Sequence, residues 1–407
     1  MNPLYNLGIR LYGAATAVVA LFSEKAGKRH QGACNAFKTL EQKRDPKAEY
    51  IWFHAASLGE FEQGRPIIEA VKQHHPEYKV ALTFFSPSGY EVRRDYKGAD
   101  LICYLPLDTP KKARRFVEML NPKKAVFIKY EFWGNLLETL KTKGIETYLI
   151  SAIFRKDQPF FNKIYGGPFR KMLSCFNKIF VQNETSQQLL ESIGIPSLVA
   201  GDTRFDRVCD IAEAAKELPI VEGFAQGADV IVAGSTWPKD EEILIRYINA
   251  NKEKKMVIVP HEIDEEHIQH ICNGLRRSFV RYTKTTYDEA VHADCLIVDT
   301  IGLLSSIYQY GRIAYVGGGF GVGIHNILEA AVWGMPVIFG PNYHKFQEAV
   351  DLMEKGDGYT IRTYRRFENL TNELFYDADA GKIAKQYVES KTGATALIMK
   401  EAFNTNI

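Results

Sequence analysis

From residue 50 onward, short runs rich in β-branched and aromatic residues alternate with stretches of helical period. The runs are YIWFHAA (50–56), KVALTFF (79–85), LICYLPL (101–107), KAVFIKY (124–130), ETYLISA (146–152) and KIFVQN (178–183). Helical segments such as GNLLETLKTKG and SQQLLESIG lie between most of them, each closed by a glycine. This alternation predicts a parallel, doubly wound sheet. The rhythm pauses over residues 207–228, which read as a helix-and-loop linker. It resumes with DVIVAGS (229–235), KMVIVP (255–260), SFVRYT (278–283), CLIVD (295–299), IAYVGGG (313–319) and PVIFGP (336–341). The chain is therefore read as two Rossmann-like α/β domains, 31–206 and 229–362, with a helical tail, 363–407, that crosses back onto the first. Open α/β sheets bind ligands beyond the carboxyl ends of their strands, so two facing sheets predict a site in a cleft between them.

A chain of 407 residues is long enough for two cores, and its 46% hydrophobic and 25% charged content is that of a globular protein. A net charge of +2 argues against nucleic acid as a partner. The cysteines at 34, 103, 175, 209, 272 and 295 form no CxxC and read as reduced thiols. His74 and His75 read as a helix-end cap, and Asp377-Ala378-Asp379 as a solvated turn; no metal site is expected.

Residues 1–30 stand apart. LYGAATAVVALF (11–22) carries no charge and is flanked by Arg10 and by Lys25, Lys28, Arg29 and His30. It is short of the roughly 20 residues a spanning helix needs. It reads as an interfacial membrane anchor or as a buried first helix.

Candidate chemistry gathers at strand ends. In HAASLGEFEQGRP (54–66), Gly59 suggests a tight turn and Glu60 starts a helix, either as a partner of its dipole or as a base. IKYEFWG places Glu131 among aromatics, where desolvation raises a carboxyl pKa. AGDTRFD puts Arg204 at the end of the first domain's last strand, near the cleft, with Asp202 or Asp206 as alternative salt-bridge partners. In AGSTWPKDEE, Gly234, Ser235 and Thr236 can offer N–H groups and hydroxyls to a phosphate, or cap the following helix. VGGGFGVGIHNILEAAVWG contains no G-x-G-x-x-G, which disfavours a hydride-transfer enzyme. Its reading is a Gly-rich turn opening a helix whose first turn carries His325, Asn326 and Glu329. That set suits a nucleotide, or is a capping box of Asn326 and Glu329.

Together HAASLGE, YEFW, GDTRFD, GSTWPKDEE, VDTIG and GGGFGVGIHNILEAAVWGMPVIFGP, in this order, resemble the 3-deoxy-D-manno-octulosonate (Kdo) transferase family of lipopolysaccharide assembly. The resemblance implies a GT-B fold and an inverting glycosyltransferase needing no metal or cofactor. It implies transfer of Kdo from CMP-Kdo to a lipid A precursor at the cytoplasmic face of a bacterial inner membrane, with the N-terminal segment on the membrane surface. It further implies that Glu60 is the general base and that Glu131 and Arg204 stabilise the transition state. CMP contacts fall on Pro260 and His261, on Ile301, Gly302 and Leu303, and on Asn326, Ile327, Leu328 and Glu329. Arg204 stands where the family usually has lysine, and His261 where it has arginine. A nucleotide-sugar 2-epimerase and a non-catalytic nucleotide-sugar binding protein are the competing readings.

Overall fold

The computed structural model describes residues 3–407. The chain forms two compact units, Met1–Asp206 with Thr392–Ile407, and Arg207–Lys391.

The first unit is built on seven strands: β1 (Tyr50–Ala55), β2 (Lys79–Phe84), β3 (Leu101–Tyr104), β4 (Pro122–Ile128), β5 (Glu146–Ala152), β6 (Lys178–Val181) and β7 (Leu198–Val199). They lie in the order β3-β2-β1-β4-β5-β6-β7 and pair in parallel throughout. Side chains alternate across the sheet. Tyr50 and Trp52 therefore join Phe127 and Leu149 in the core on one face, and Ile51 and Phe53 join Val126 and Ile150 on the other. His54 follows Trp52 in this parity, and pairs in register with Thr83.

Helix α1 (Pro3–Val19) lays Tyr5, Ile9 and Gly13 on this unit. A Cβ at Gly13 would stand 2.5 Å from the end of the Leu107 side chain, so glycine lets the helix approach without moving that leucine. Helix α2 (Glu24–Lys43) packs close to β3 through Gly32, where a Cβ would meet the Tyr104 ring at 2.2 Å. Helix α3 (Leu58–His74) comes equally close to β4, because Gly64 faces the Ile128 side chain.

The second unit repeats the plan with β8 (Val230–Thr236), β9 (Lys255–Pro260), β10 (Phe279–Arg281), β11 (Cys295–Ile297), β12 (Ile313–Val316), β13 (Val337–Phe339) and β14 (Gly358–Thr360). Their order is β10-β11-β9-β8-β12-β13-β14, again all parallel. Both units are Rossmann-like, and the architecture is GT-B.

Several boundaries differ from the sequence reading. Residues 207–228 are not a bare linker: helix Pro219–Ala225 buries Val221 and Phe224, and Gly223 is pressed against the Tyr287 ring. The tail divides at residue 391. Helices Tyr364–Tyr376 and Lys382–Glu389 belong to the second unit, and only helix Ala394–Phe403 belongs to the first. That last helix puts Ile398, Met399, Ala402 and Phe403 into the first unit's core. Asp206 receives the N–H groups of Gly393 and Thr395 at 2.5 and 2.8 Å and so caps it.

Candidate active site

Glu60 occupies the first turn of α3, three residues after Ser57 at its N-cap. The Ser57 hydroxyl donates to the Glu60 carboxylate and caps no backbone N–H. Glu60 is half-buried and Gly59 is exposed. The tight turn expected at Gly59 is absent: Gly59 lies inside the helix, and a Cβ there would meet only Ser57 Oγ, at 3.9 Å. Its bareness leaves open space beside the carboxylate. Burial pushes the Tyr130 hydroxyl above its usual pKa; Arg155 opposes this and the charge of Glu60 adds to it.

Glu131 follows β4, where Lys129 takes a left-handed φ of 66° and turns the chain out of the sheet. Its carboxylate is almost buried and accepts from Trp133 Nε1 at 2.7 Å, with His54 Nε2 at 2.8 Å. The other His54 nitrogen, Nδ1, faces the Thr83 hydroxyl at 2.8 Å and its carbonyl at 3.1 Å. Trp52 Nε1 also donates to the Thr83 hydroxyl. Glu131 is thus fixed by polar donors, not set in a purely apolar shell. His54, Thr83 and Trp133 were not singled out in the sequence. The one signal was a histidine at the carboxyl end of a buried strand, and alternation alone makes that a core position.

Arg204 does pair with Asp202: Nε and Nη2 lie 2.9 and 2.8 Å from one carboxylate oxygen, and the backbone N–H donates to the other. Asp206 is occupied at the cap described above. Gln63, one turn along α3 from Glu60, donates to Asp202 at 3.2 Å, while its carbonyl accepts from Thr203 Oγ1. Glu60 and Arg204 are therefore fastened to one framework.

In the second unit, three rings stack. Trp237 lies 4.8 Å from His261, and His261 lies 4.4 Å from His325, between centroids. Trp237 Nε1 donates to His325 Nε2 at 3.0 Å, which puts the His325 proton on Nδ1. Burial first, and the neighbouring His261 second, pull His325 down to about 4, so it is neutral near pH 7. Trp237, Pro238, Phe320, Val322 and His325 line a pocket of about 500 Å³, within the range of small-molecule sites.

The remaining nucleotide candidates meet at Glu329, which takes Ser305 Oγ at 2.8 Å and Asn326 Nδ2 at 3.1 Å. Ser305 follows the Ile301–Leu303 turn, where Ile301 is exposed and Gly302 has a φ of 84°. The helix expected from His325 is shorter: it spans Leu328–Ala331, and His325 and Asn326 precede it, with the His325 N–H on Gly317 O. Ile327 and Leu328 are buried, so only their backbone can face a ligand. Pro260 closes β9 and is buried likewise.

Of Gly234, Ser235 and Thr236, expected to offer N–H groups and hydroxyls to a phosphate, Thr236 has its hydroxyl committed elsewhere. Thr236 is fully buried and its hydroxyl donates to Glu241; Gly234 is inside β8, against the Tyr308 hydroxyl. Ser235, at φ 53°, is the half-buried member. Asp240 is buried beneath them, accepting from Tyr315 OH, Gly318 N and Trp237 N. It fixes the Gly-rich turn to the helix start. Glu262, Asp264 and His267 bring ligand atoms within 4.8 Å of one another. Two of them are already committed: Asp264 caps its helix, and His267 Nε2 is bound to Glu241.

Residues 26–207 match the family described as 3-deoxy-D-manno-octulosonic-acid transferase (kdotransferase). The 3-deoxy-D-manno-octulosonic acid transferase of Aquifex aeolicus (strain VF5) is 30% identical over 335 residues, covering 80% of this chain and 85% of that protein. The chain belongs to this transferase family. It is an enzyme, a glycosyltransferase. The Bordetella pertussis member is 27% identical over 322 residues, covering 75% of this transferase and 74% of its relative. Among solved structures, UDP-GlcNAc 2-epimerase from Neisseria meningitidis gives a TM-score of 0.60 at 15% identity, covering 88% of the transferase and all (100%) of that chain. MurG from Acinetobacter baumannii gives 0.54 at 11%, covering 88% and 100%. These two likenesses concern the fold alone.

Proposed function

We propose that this transferase moves Kdo from CMP-Kdo to a hydroxyl of a lipid A precursor, with inversion and without a metal ion. An alcohol becomes a competent nucleophile when a base takes its proton as the new bond forms. The observation that carries the assignment is the contrast between two carboxylates of the first unit. Glu60 is half-exposed beside bare Gly59 and a hydroxyl; Glu131 is nearly sealed, held by the Trp133 N–H with His54 Nε2 against it. A partly open carboxylate beside a hydroxyl suits a base, and a nearly sealed one suits electrostatic stabilisation.

Arg204, oriented by Asp202, supplies positive charge for the transition state. The second unit holds CMP-Kdo through His261 and the backbone of Pro260, through Ile301–Leu303, and through Asn326–Glu329. CMP leaves as a phosphate monoester, whose growing charge is met by N–H groups and fixed cations. The ring stack of Trp237, His261 and His325 provides a flat aromatic wall for the nucleotide.

The reaction is assigned to the cytoplasmic face of a bacterial inner membrane. Leu4, Leu7, Leu11, Ala15 and Val18 recur every three or four residues along α1 and are all exposed. No helix among the described residues is long and apolar enough to cross a membrane. An apolar stripe beside Arg10, Lys25 and Lys28 fits a helix lying in the headgroup boundary. The test is incubation with CMP-Kdo and a lipid A precursor, then mass spectrometry of the lipid. Addition of Kdo supports the reading, and an unchanged lipid with intact, CMP-binding protein rejects it.

A further inference from the structure

Arg29 sits on α2 and is only 9% exposed, yet its side chain makes no ion pair or hydrogen bond with any described residue. Its Nε is sealed without a partner. Instead its guanidinium lies 4.1 Å from the centroid of the Phe85 ring and 5.4 Å from that of Tyr12. Glu91, on the helix Pro87–Arg93, is engaged by the Tyr104 hydroxyl at 3.1 Å and by Arg94 at 3.8 Å. Burial pulls the Arg29 guanidinium below its usual pKa, the direction of a cation short of compensating charge. Buried charges are normally paired, and an unpaired one is among the more destabilising features a fold can carry. A glycine at position 32, where α2 meets Tyr104, keeps α2 close enough to hold it there.

We infer that Arg29 is an oxyanion receptor that takes a phosphate group of the lipid acceptor. Its place selects that ligand. On one side lies Tyr12, part of α1, whose outer stripe is apolar. On the other, Phe85 lies tilted against Trp133 at 5.0 Å between centroids, and the Trp133 N–H is on Glu131. An anion at Arg29 therefore belongs to a molecule with acyl chains toward α1 and a sugar toward Glu131, which is a phosphorylated glycolipid. The inference rests on the proposed transfer to a lipid, and a guanidinium is the side chain best matched to phosphate.

Three readouts test it. With CMP saturating, inorganic phosphate titrated by calorimetry should bind the wild type and bind Arg29→Gln at least tenfold more weakly; equal binding overturns the receptor. This arm needs no turnover, so a wild type that binds phosphate through Arg29 but transfers no Kdo rejects the transferase reading alone. In transfer assays, Arg29→Gln should raise the KM for a phosphorylated acceptor at least tenfold. It should leave the dephosphorylated acceptor, kcat and the KM for CMP-Kdo within twofold, with Arg29→Lys recovering part of the loss. A variant that still prefers the phosphorylated acceptor by the wild-type factor overturns the assignment. Flotation with phosphatidylglycerol vesicles should be equal for both proteins; a loss confined to Arg29→Gln reassigns the anion to the bilayer and overturns the acceptor role. Arg29→Met should melt no lower than wild type, so it repeats each arm if the glutamine variant misfolds.

Discussion

His54 Nε2 stands 2.8 Å from Glu131 Oε2, while His54 Nδ1 faces Thr83 on the neighbouring strand. The ring is fully buried and links β2 to the turn after β4. His54→Ala removes a partner from a nearly sealed carboxylate and frees its orientation. Loss of such a supporting partner lowers activity by about 10–100-fold. Because His54 acts through Glu131, the His54→Ala/Glu131→Gln double variant should be no slower than Glu131→Gln alone. Steady-state kcat for the three proteins checks this; additive losses would separate the two residues.

Glu60→Gln keeps the shape and hydrogen-bonding reach of the side chain but cannot accept the acceptor's proton. Transfer should fall by about 10²–10⁴-fold, the usual worth of a general base. CMP affinity, measured by calorimetry, should stay at the wild-type value. Near-normal turnover in this variant would end the assignment.

Arg204→Ala should lower kcat at least about tenfold and also reduce the melting temperature, since Asp202 is almost buried and loses its charge partner. Arg204→Lys restores the charge but not the two-nitrogen contact to Asp202, and should recover only part of the rate. Comparing rate and melting temperature across the two variants separates transition-state stabilisation from a purely structural pair.

His325, held down near 4, binds its proton less readily when folded than at its ordinary 6.5. Its contribution to stability is therefore present above about pH 6.5 and is lost as pH falls toward 4. Urea unfolding at pH 7.5 and pH 5 should show the wild type losing more stability than His325→Asn across that interval. An identical pH slope in both proteins would contradict the desolvated, neutral imidazole.

Asp108 behaves in the opposite sense. Burial raises it to about 6, although Tyr5 OH and the N–H groups of Asn135 and Leu136 favour its charge. Its contribution is full below its ordinary 3.8 and declines as pH rises through about 6. Tyr5→Phe removes the α1 hydroxyl from this carboxylate and from Gly134 N. Limited proteolysis of that variant at pH 7.5 should cleave within the first 23 residues faster than in wild type.

Strand positions were legible because buried parallel strands write their β-branched runs plainly: β5 and β9 match their expected spans residue for residue. β7 and β14 were missed, being two and three residues long and too short for periodicity to register. Glu60, Glu131 and Arg204 stood out as charges at strand ends, whereas His54 was hidden by the alternation that buries it. The helix predicted from His325 gives way to an extended approach. There the backbone serves the Gly-rich turn, with Gly317 touching Ser235 and Gly318 at φ 89°. Thr236 looked like a phosphate ligand because a hydroxyl near a helix start suggests one; its partner Glu241, five positions on, is visible only in three dimensions.

The helix Ala394–Phe403 lends Ile398, Met399 and Phe403 to a core otherwise made from residues before 207. During translation the front sheet consequently waits, with that apolar face uncovered, until the whole rear unit has left the ribosome. A stop codon near 391 would deprive the opposite end of the polypeptide of its plug, so damage late in the message is felt beneath the helix that carries Glu60.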